Sequence, residues 1–145
     1  MAGILVVIAL TGFFTSAYTF HWFGLGTVSC ASHPTKAPNS AYFVVVMADE
    51  GINIGFNGSK FHSGSWPVMN VTLGANVTIH VVNNDTVESH GFAITTYFNK
   101  GLKLGPGQCS DVTFNASLLG SYRVYCFIEC SIHVLMQSGE VNVNP

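Results

Sequence analysis

From residue 41 onward the apolar positions fall into short runs: Tyr42 to Ala48, Val68 to Leu73, Val77 to Asn83, Gly91 to Thr96, Ser110 to Phe114, Tyr122 to Phe127 and Gly139 to Val143. Nearly all are rich in β-branched or aromatic residues. Turn material separates them, namely Gly51, Asn57-Gly58, Gly74-Ala75-Asn76, Asn83-Asn84-Asp85 and Pro106-Gly107. That rhythm predicts the strands of an all-β sandwich or barrel. Val77, Ile79 and Val81 alternate with Thr78, His80 and Val82, as in a strand with one face packed on a second sheet. No helical period, internal repeat or low-complexity tract is found in this half.

The N-terminal part follows a different pattern. Gly3 to Phe20 carries no ionisable side chain apart from Tyr18. At about 1.5 Å per residue, a helix from about Ala2 to Leu25 crosses roughly 30 Å of hydrocarbon, with Tyr18, His21 and Trp22 where an interfacial belt falls. Residues 1–28 are therefore read as a transmembrane helix, 29–40 as a linker containing Pro34 and Pro38, and 41–145 as one domain. A cleaved signal peptide is an alternative, although no Lys or Arg precedes the apolar run. A lipid-bearing Cys30 after Val28-Ser29 is another, although the usual Leu before Val28 is missing.

Composition narrows the function classes. The 145 residues are 48% hydrophobic and 8% charged, with a formal charge of -2, against roughly 25% charged in ordinary soluble domains. Disorder and nucleic-acid binding are poor readings, since no basic stripe exists to neutralise phosphates. Five sequons, at Asn57, Asn70, Asn76, Asn84 and Asn115, mark candidate glycosylation sites of an exported surface. The expectation is a single-pass protein of the cell membrane, in contact with lipid, whose domain lies on the extracellular or periplasmic side.

The chemistry is concentrated near the C-terminus. Cys126, Cys130, His133 and Met136 form the pattern C-x3-C-x2-H-x2-M. Thiolate, imidazole and thioether together select copper or a similarly thiophilic ion. The loop follows one predicted strand and precedes another, so it lies at one end of a sandwich, where irregular backbone can wrap an ion. A distant histidine is needed to complete the set, and His90, in Glu88-Ser89-His90-Gly91-Phe92, is the candidate. His21, His33, His62 and His80 have no matching ligand partner in the sequence and read as structural. Cys126 and Cys130 could instead form a disulfide. Cys30 and Cys109 are left over and are a possible pair.

These residues resemble the copper domain of subunit II of haem-copper cytochrome oxidases, a cupredoxin Greek-key β-sandwich with a dinuclear copper centre, CuA. The likeness covers about Val68 to Val143 and includes Gly105-Pro106-Gly107 and Gly120-Ser121-Tyr122-Arg123-Val124. The single N-terminal helix is similar to that of the ba-type subunits. The resemblance implies that Cys126 and Cys130 bridge two coppers, that His90 and His133 each bind one, that Met136 is a weak axial ligand and that the Ile128 carbonyl completes the set. Phe92 and Phe127 would exclude water. The implied role is electron entry, with no active site of its own: an external donor, cytochrome c or a small copper protein, reduces the domain, which passes electrons to haem in a membrane subunit I. Arg123 and Glu129 are the candidates for positioning a donor or the exit path.

One spacing departs from that family. Two residues separate Cys130 from His133 where the family has three, and C-x2-H-x2-M is also the form of the shortest blue copper loops. A single copper held by His90, Cys130, His133 and Met136, with Cys126 free, is therefore the alternative, and a copper-less subunit II of a quinol oxidase is a third reading. The family's acidic residue between the cysteines is here Ile128, which implies that the associated magnesium site is absent.

Overall fold

The computed structural model describes Cys30 and residues 37–145; the predicted helix and most of the predicted linker lie outside the described residues. Among the described residues no helix is long and apolar enough to cross a membrane. Nine strands are formed: β1 (Ser40–Ala48), β2 (Gly55–Phe56), β3 (Val68–Thr72), β4 (Asn76–Asn83), β5 (His90–Ile94), β6 (Phe98–Leu104), β7 (Cys109–Asn115), β8 (Gly120–Tyr125) and β9 (Gly139–Asn144). They build two sheets, one in the order β2-β1-β4-β7 and the other in the order β3-β9-β8-β5-β6. The all-β expectation holds, and the seven expected runs each become a strand.

The alternation in β4 decides how the first sheet packs. Val77, Ile79 and Val81 are fully buried against the second sheet, and Val45, Met47 and Val112 join them in the same core as Phe92, Ile94, Val124, Met136 and Val141. Each large apolar side chain withdrawn from water in this way stabilises the fold by about 1.5–3 kcal/mol. β1 runs parallel to β4, pairing Ser40 with Asn76 and Met47 with Asn83, while β7 runs antiparallel to β4 on its other side. In the second sheet β3 is parallel to β9 and β8 is antiparallel to β9.

Two strands were not expected. β2 has only two residues. β6 reads FNKGLKL and is an edge strand, where Lys100 and Lys103 interrupt any apolar alternation; charges at an edge discourage pairing with another chain.

At one end of the sandwich lie the turn from β4 to β5, the start of β7 and the long connection from β8 to β9. The opposite end carries the asparagine-rich turns that join β3 to β4 and receive Asn39, Asn76 and Asn115.

Candidate metal centre

The connection between β8 and β9 carries the cysteine, histidine and methionine pattern. Its two ends are drawn together where the Cys126 N–H donates to the Met136 carbonyl at 2.8 Å. Between them the chain turns back on itself: His133 N–H donates to Cys130 O at 3.1 Å and Leu135 N–H to Ile132 O at 2.9 Å, forming the 3-10 turn His133–Met136. Donor atoms of Cys126, Cys130 and His133 consequently lie within 4.8 Å of one another. Both cysteines are free thiols. Met136 is fully buried and belongs to the same core cluster as Cys126.

The Ile128 carbonyl faces the same space. Cys126 Sγ donates to it at 3.2 Å, and His133 turns Nδ1 to it at 2.8 Å. On the other side of Cys126, the Gly91 N–H donates to Sγ at 3.2 Å, so the strand that begins with His90 touches the ligand loop directly. A hydrogen bond to a cysteine sulfur stabilises its thiolate form. Burial, and then the neighbouring Cys126, push the Cys130 thiol up to about 12; a soft cation is the natural means of removing that proton.

His90 is 0% exposed and is held from behind. Its Nε2 lies 2.8 Å from Asp85 Oδ2, while Asp85 Oδ1 accepts the N–H groups of Val87 (2.7 Å) and Glu88 (2.9 Å). Burial raises the Asp85 carboxyl, but the Glu88 and Val87 N–H groups and His90 outweigh it and hold the group below its ordinary value of 3.8. An ionised Asp85 only accepts, so Nε2 is the nitrogen that carries a proton, and in the neutral ring this makes Nδ1 the one with the lone pair. That Nδ1 is buried and has no hydrogen-bond partner. A buried ring nitrogen left without a hydrogen-bond partner, one residue from the Gly91 N–H that contacts Cys126 Sγ, is a candidate metal ligand. The residues present therefore fit copper.

A further set of contacts fixes the loop, and these were not foreseen in the sequence. Glu88 Oε2 accepts both the N–H (2.9 Å) and the hydroxyl (2.6 Å) of Ser131, which ties the Cys130-to-His133 segment to the His90 turn. Ser131 holds the Glu88 carboxylate below its ordinary 4.5. Gln137 Nε2 donates to Cys126 O (2.8 Å), His133 O and His133 Nε2 (both 3.1 Å). Arg123 in turn grips Gln137 through its carbonyl and its side-chain oxygen, both at 2.7 Å. Arg123 is thus engaged in bracing the ligand loop, whereas Glu129 is exposed.

Phe92 is fully buried and Phe127 partly exposed. The Phe127 ring packs so closely on Gly91 and Gly101 that a Cβ at either would come within 3.0 Å of it, and Gly101 has φ +65. Cys30 and Cys109 are joined by a disulfide, Cα–Cα 5.7 Å. Among the sequons, Asn70, Asn76, Asn84 and Asn115 are exposed. The Asn57 side chain is engaged at both ends, accepting from Val46 N at 2.6 Å and donating to Val44 O at 2.9 Å.

No family model matches the chain. Among curated proteins, a nitrous-oxide reductase of Pseudomonas fluorescens is 35% identical over 69 residues, which is 46% of this chain; the chain spans 11% of that protein's length. Several solved structures superpose on the domain. Na-dithionite reduced auracyanin from the photosynthetic bacterium Roseiflexus castenholzii does so with a TM-score of 0.54 at 17% identity, covering 73% of this chain and 98% of the other. A Cu-containing nitrite reductase from Thermus scotoductus SA-01 has a TM-score of 0.57 at 11% identity, covering 74% and 31%. A multicopper oxidase has a TM-score of 0.54 at 19% identity, covering 72% and 42%. With these likenesses added to the two-sheet architecture, the domain has a cupredoxin-like fold.

Proposed function

We propose that this chain is a copper-binding electron-transfer protein, and more specifically the electron-entry subunit of a haem-copper oxidase assembly. The observation that carries the reading is the convergence of Cys126, Cys130, His133 and the Ile128 carbonyl on one space, to which the strand beginning with His90 is joined by the Gly91 N–H on Cys126 Sγ. Similarity to proteins named for copper, a nitrite reductase and a multicopper oxidase, supports the metal's identity. Copper bound here supplies a one-electron couple.

The chain's own residues hold that centre in place and dry. Asp85 fixes the His90 ring, Glu88 and Gln137 fix the loop from two sides, Gly91 N–H stabilises the Cys126 sulfur, and Phe92 and Phe127 exclude water. A rigid donor set moves little when its charge changes, which favours rapid transfer. The chain contributes no active site of its own in this reading; oxygen chemistry belongs to a haem-bearing membrane subunit I. Reduction comes from an external donor, cytochrome c or a small copper protein, on the outer side of the cell membrane. Scarce charge predicts docking through apolar contact with weak salt dependence.

We take the two-copper form as the first reading, and the placing of Cys126 supports it. Cys126 and the Ile128 carbonyl both face the His133 side of the space instead of standing apart from it, which is what the dinuclear reading requires despite the short Cys130-to-His133 segment. The single-copper carrier is the second reading. The test is the copper-to-protein ratio with an electron paramagnetic resonance spectrum of the oxidised, membrane-extracted protein. Two coppers per chain, with the hyperfine pattern of one electron shared by equivalent nuclei, are expected. One copper with a single-nucleus pattern makes the carrier the better account, and no copper at all overturns both.

A further inference from the structure

The outer face of the first sheet holds a contact that the metal centre does not use. His80 points away from the core, opposite Ile79 and Val81, and yet is only 6% exposed. What partners it is Cys30: His80 Nε2 lies 3.2 Å from the Cys30 carbonyl, and Nδ1 lies 2.6 Å from Asp111 Oδ1 across the β4–β7 register. The disulfide to Cys109 fixes the same residue covalently.

Cys109 stands opposite Val82, next to Asn83 and Gln108. Asn83 Nδ2 donates to Glu88 O at 2.9 Å, inside the turn that orients His90. Cys30 is therefore pinned at the metal end of the sheet. β1, by contrast, starts at Ser40 opposite Asn76, at the other end of β4, four to six residues from His80 and Val82 and so about 13–20 Å away at roughly 3.3 Å per residue.

We propose that the Cys30–Cys109 disulfide roots the N-terminal apolar segment at the metal end of the domain, so that this end faces the lipid surface. The proposal rests on residues 3–20 lying in the membrane. With the disulfide closed, residues 21–29 are the whole tether, at most about 30 Å long; rooted at Ser40 the tether is residues 21–39, up to about 65 Å. Exposed apolar side chains do not decide the orientation, because they occur at both ends: Val87 (78%) and Val134 (79%) at the metal end, Leu118 and Leu119 at the other. The disulfide does. A short tether rooted beside the donor set keeps the centre within reach of a membrane-embedded acceptor.

Trp66 reports on this end, since its backbone N–H donates to Ser138 O at 2.8 Å just beyond the candidate ligand loop. The full chain carrying W22F, which leaves Trp66 as its one tryptophan, is reconstituted into phosphatidylcholine vesicles with dansyl-labelled headgroups, and energy transfer from Trp66 is measured. Three forms are compared: the parent, one with a flexible insert of about ten residues between Val28 and Ser29, and one with the same insert between His33 and Pro34. The first insert is expected to lower transfer at least twofold and the second to leave it unchanged. Equal effects, or loss only with the second, overturn the proposal. Titration of the denatured, metal-free chain is expected to find two free thiols; four overturn it as well. Flotation separates the two ideas: a chain that does not float with the vesicles refutes the membrane reading and the orientation with it, whereas one that floats with the wrong insert pattern refutes the orientation alone.

Discussion

Replacing Asp85 with asparagine tests the reading of His90 without emptying its surroundings. The amide oxygen of the variant can still accept the Val87 and Glu88 N–H groups, so the turn keeps two of its three bonds. The amide NH2 takes the place of Oδ2, 2.8 Å from His90 Nε2. An amide nitrogen only donates, so the favoured imidazole tautomer reverses: Nε2 accepts and the proton moves to Nδ1, the atom assigned to the metal. Copper binding then has to move the proton back, setting two N–H groups against each other and forfeiting a hydrogen bond to a charged group. That bond is worth about 1.5–3 kcal/mol, or roughly 10- to 100-fold in affinity. Copper affinity is measured by competition with a chelator of known strength, and the copper-free fold by circular dichroism on heating. An affinity within twofold of the parent, in a variant whose copper-free fold is intact, refutes the assignment of His90 Nδ1 as a donor.

Three further outcomes follow from the same geometry. Copper taken up by Cys130 expels the proton of a thiol that titrates near 12, so apparent affinity is expected to rise at least tenfold per pH unit through neutrality, and an affinity flat between pH 6 and 8 contradicts it. Asp85 and Glu88 are both held below their ordinary 3.8 and 4.5; because the unfolded carboxylates take protons first, the stability they contribute is complete above about pH 5 and is lost as pH falls through the folded values, which a series of denaturant unfolding curves reads directly. Met136 is fully buried, so Met136→Leu is expected to cost under about 1.5 kcal/mol and Met136→Ala about 2–5 kcal/mol, with Met136→Leu altering the visible spectrum of the copper protein while the fold persists.

The clustering of Cys126, Cys130 and His133 was legible because these candidate ligands, with Met136, are near neighbours in the chain, and donor chemistry shows through short spacings. The strands were legible wherever one face is buried. β6 was not, because the side chains of an edge strand answer to solvent as much as to the core, and β2 is too short to have a period. Asp85, Glu88 and Gln137 were missed for another reason. Glu88 acts through a contact 43 residues away, at Ser131, whereas Asp85 and Gln137 are near their partners but depend on how the turn orients them, and Asn83-Asn84-Asp85 has the composition of an ordinary turn. His80 likewise has no visible partner until the antiparallel register of β4 and β7 sets Asp111 beside it.

The disulfide also poses a problem of order during folding. Its two sulfurs are 79 residues apart, whereas Cys126 and Cys130 are four apart. In an unfolded chain exposed to an oxidant, loop closure favours the nearer pair by about 3 kcal/mol, on the order of a hundredfold in encounter. The cysteines that meet most readily are thus the two that are free thiols in the folded domain, and those that are bonded are held apart until the first sheet brings Cys109 beneath Cys30. Productive oxidation has to follow the assembly of β1, β4 and β7, and until then reductant or early metal capture at Cys126 and Cys130 protects the centre from closing on itself.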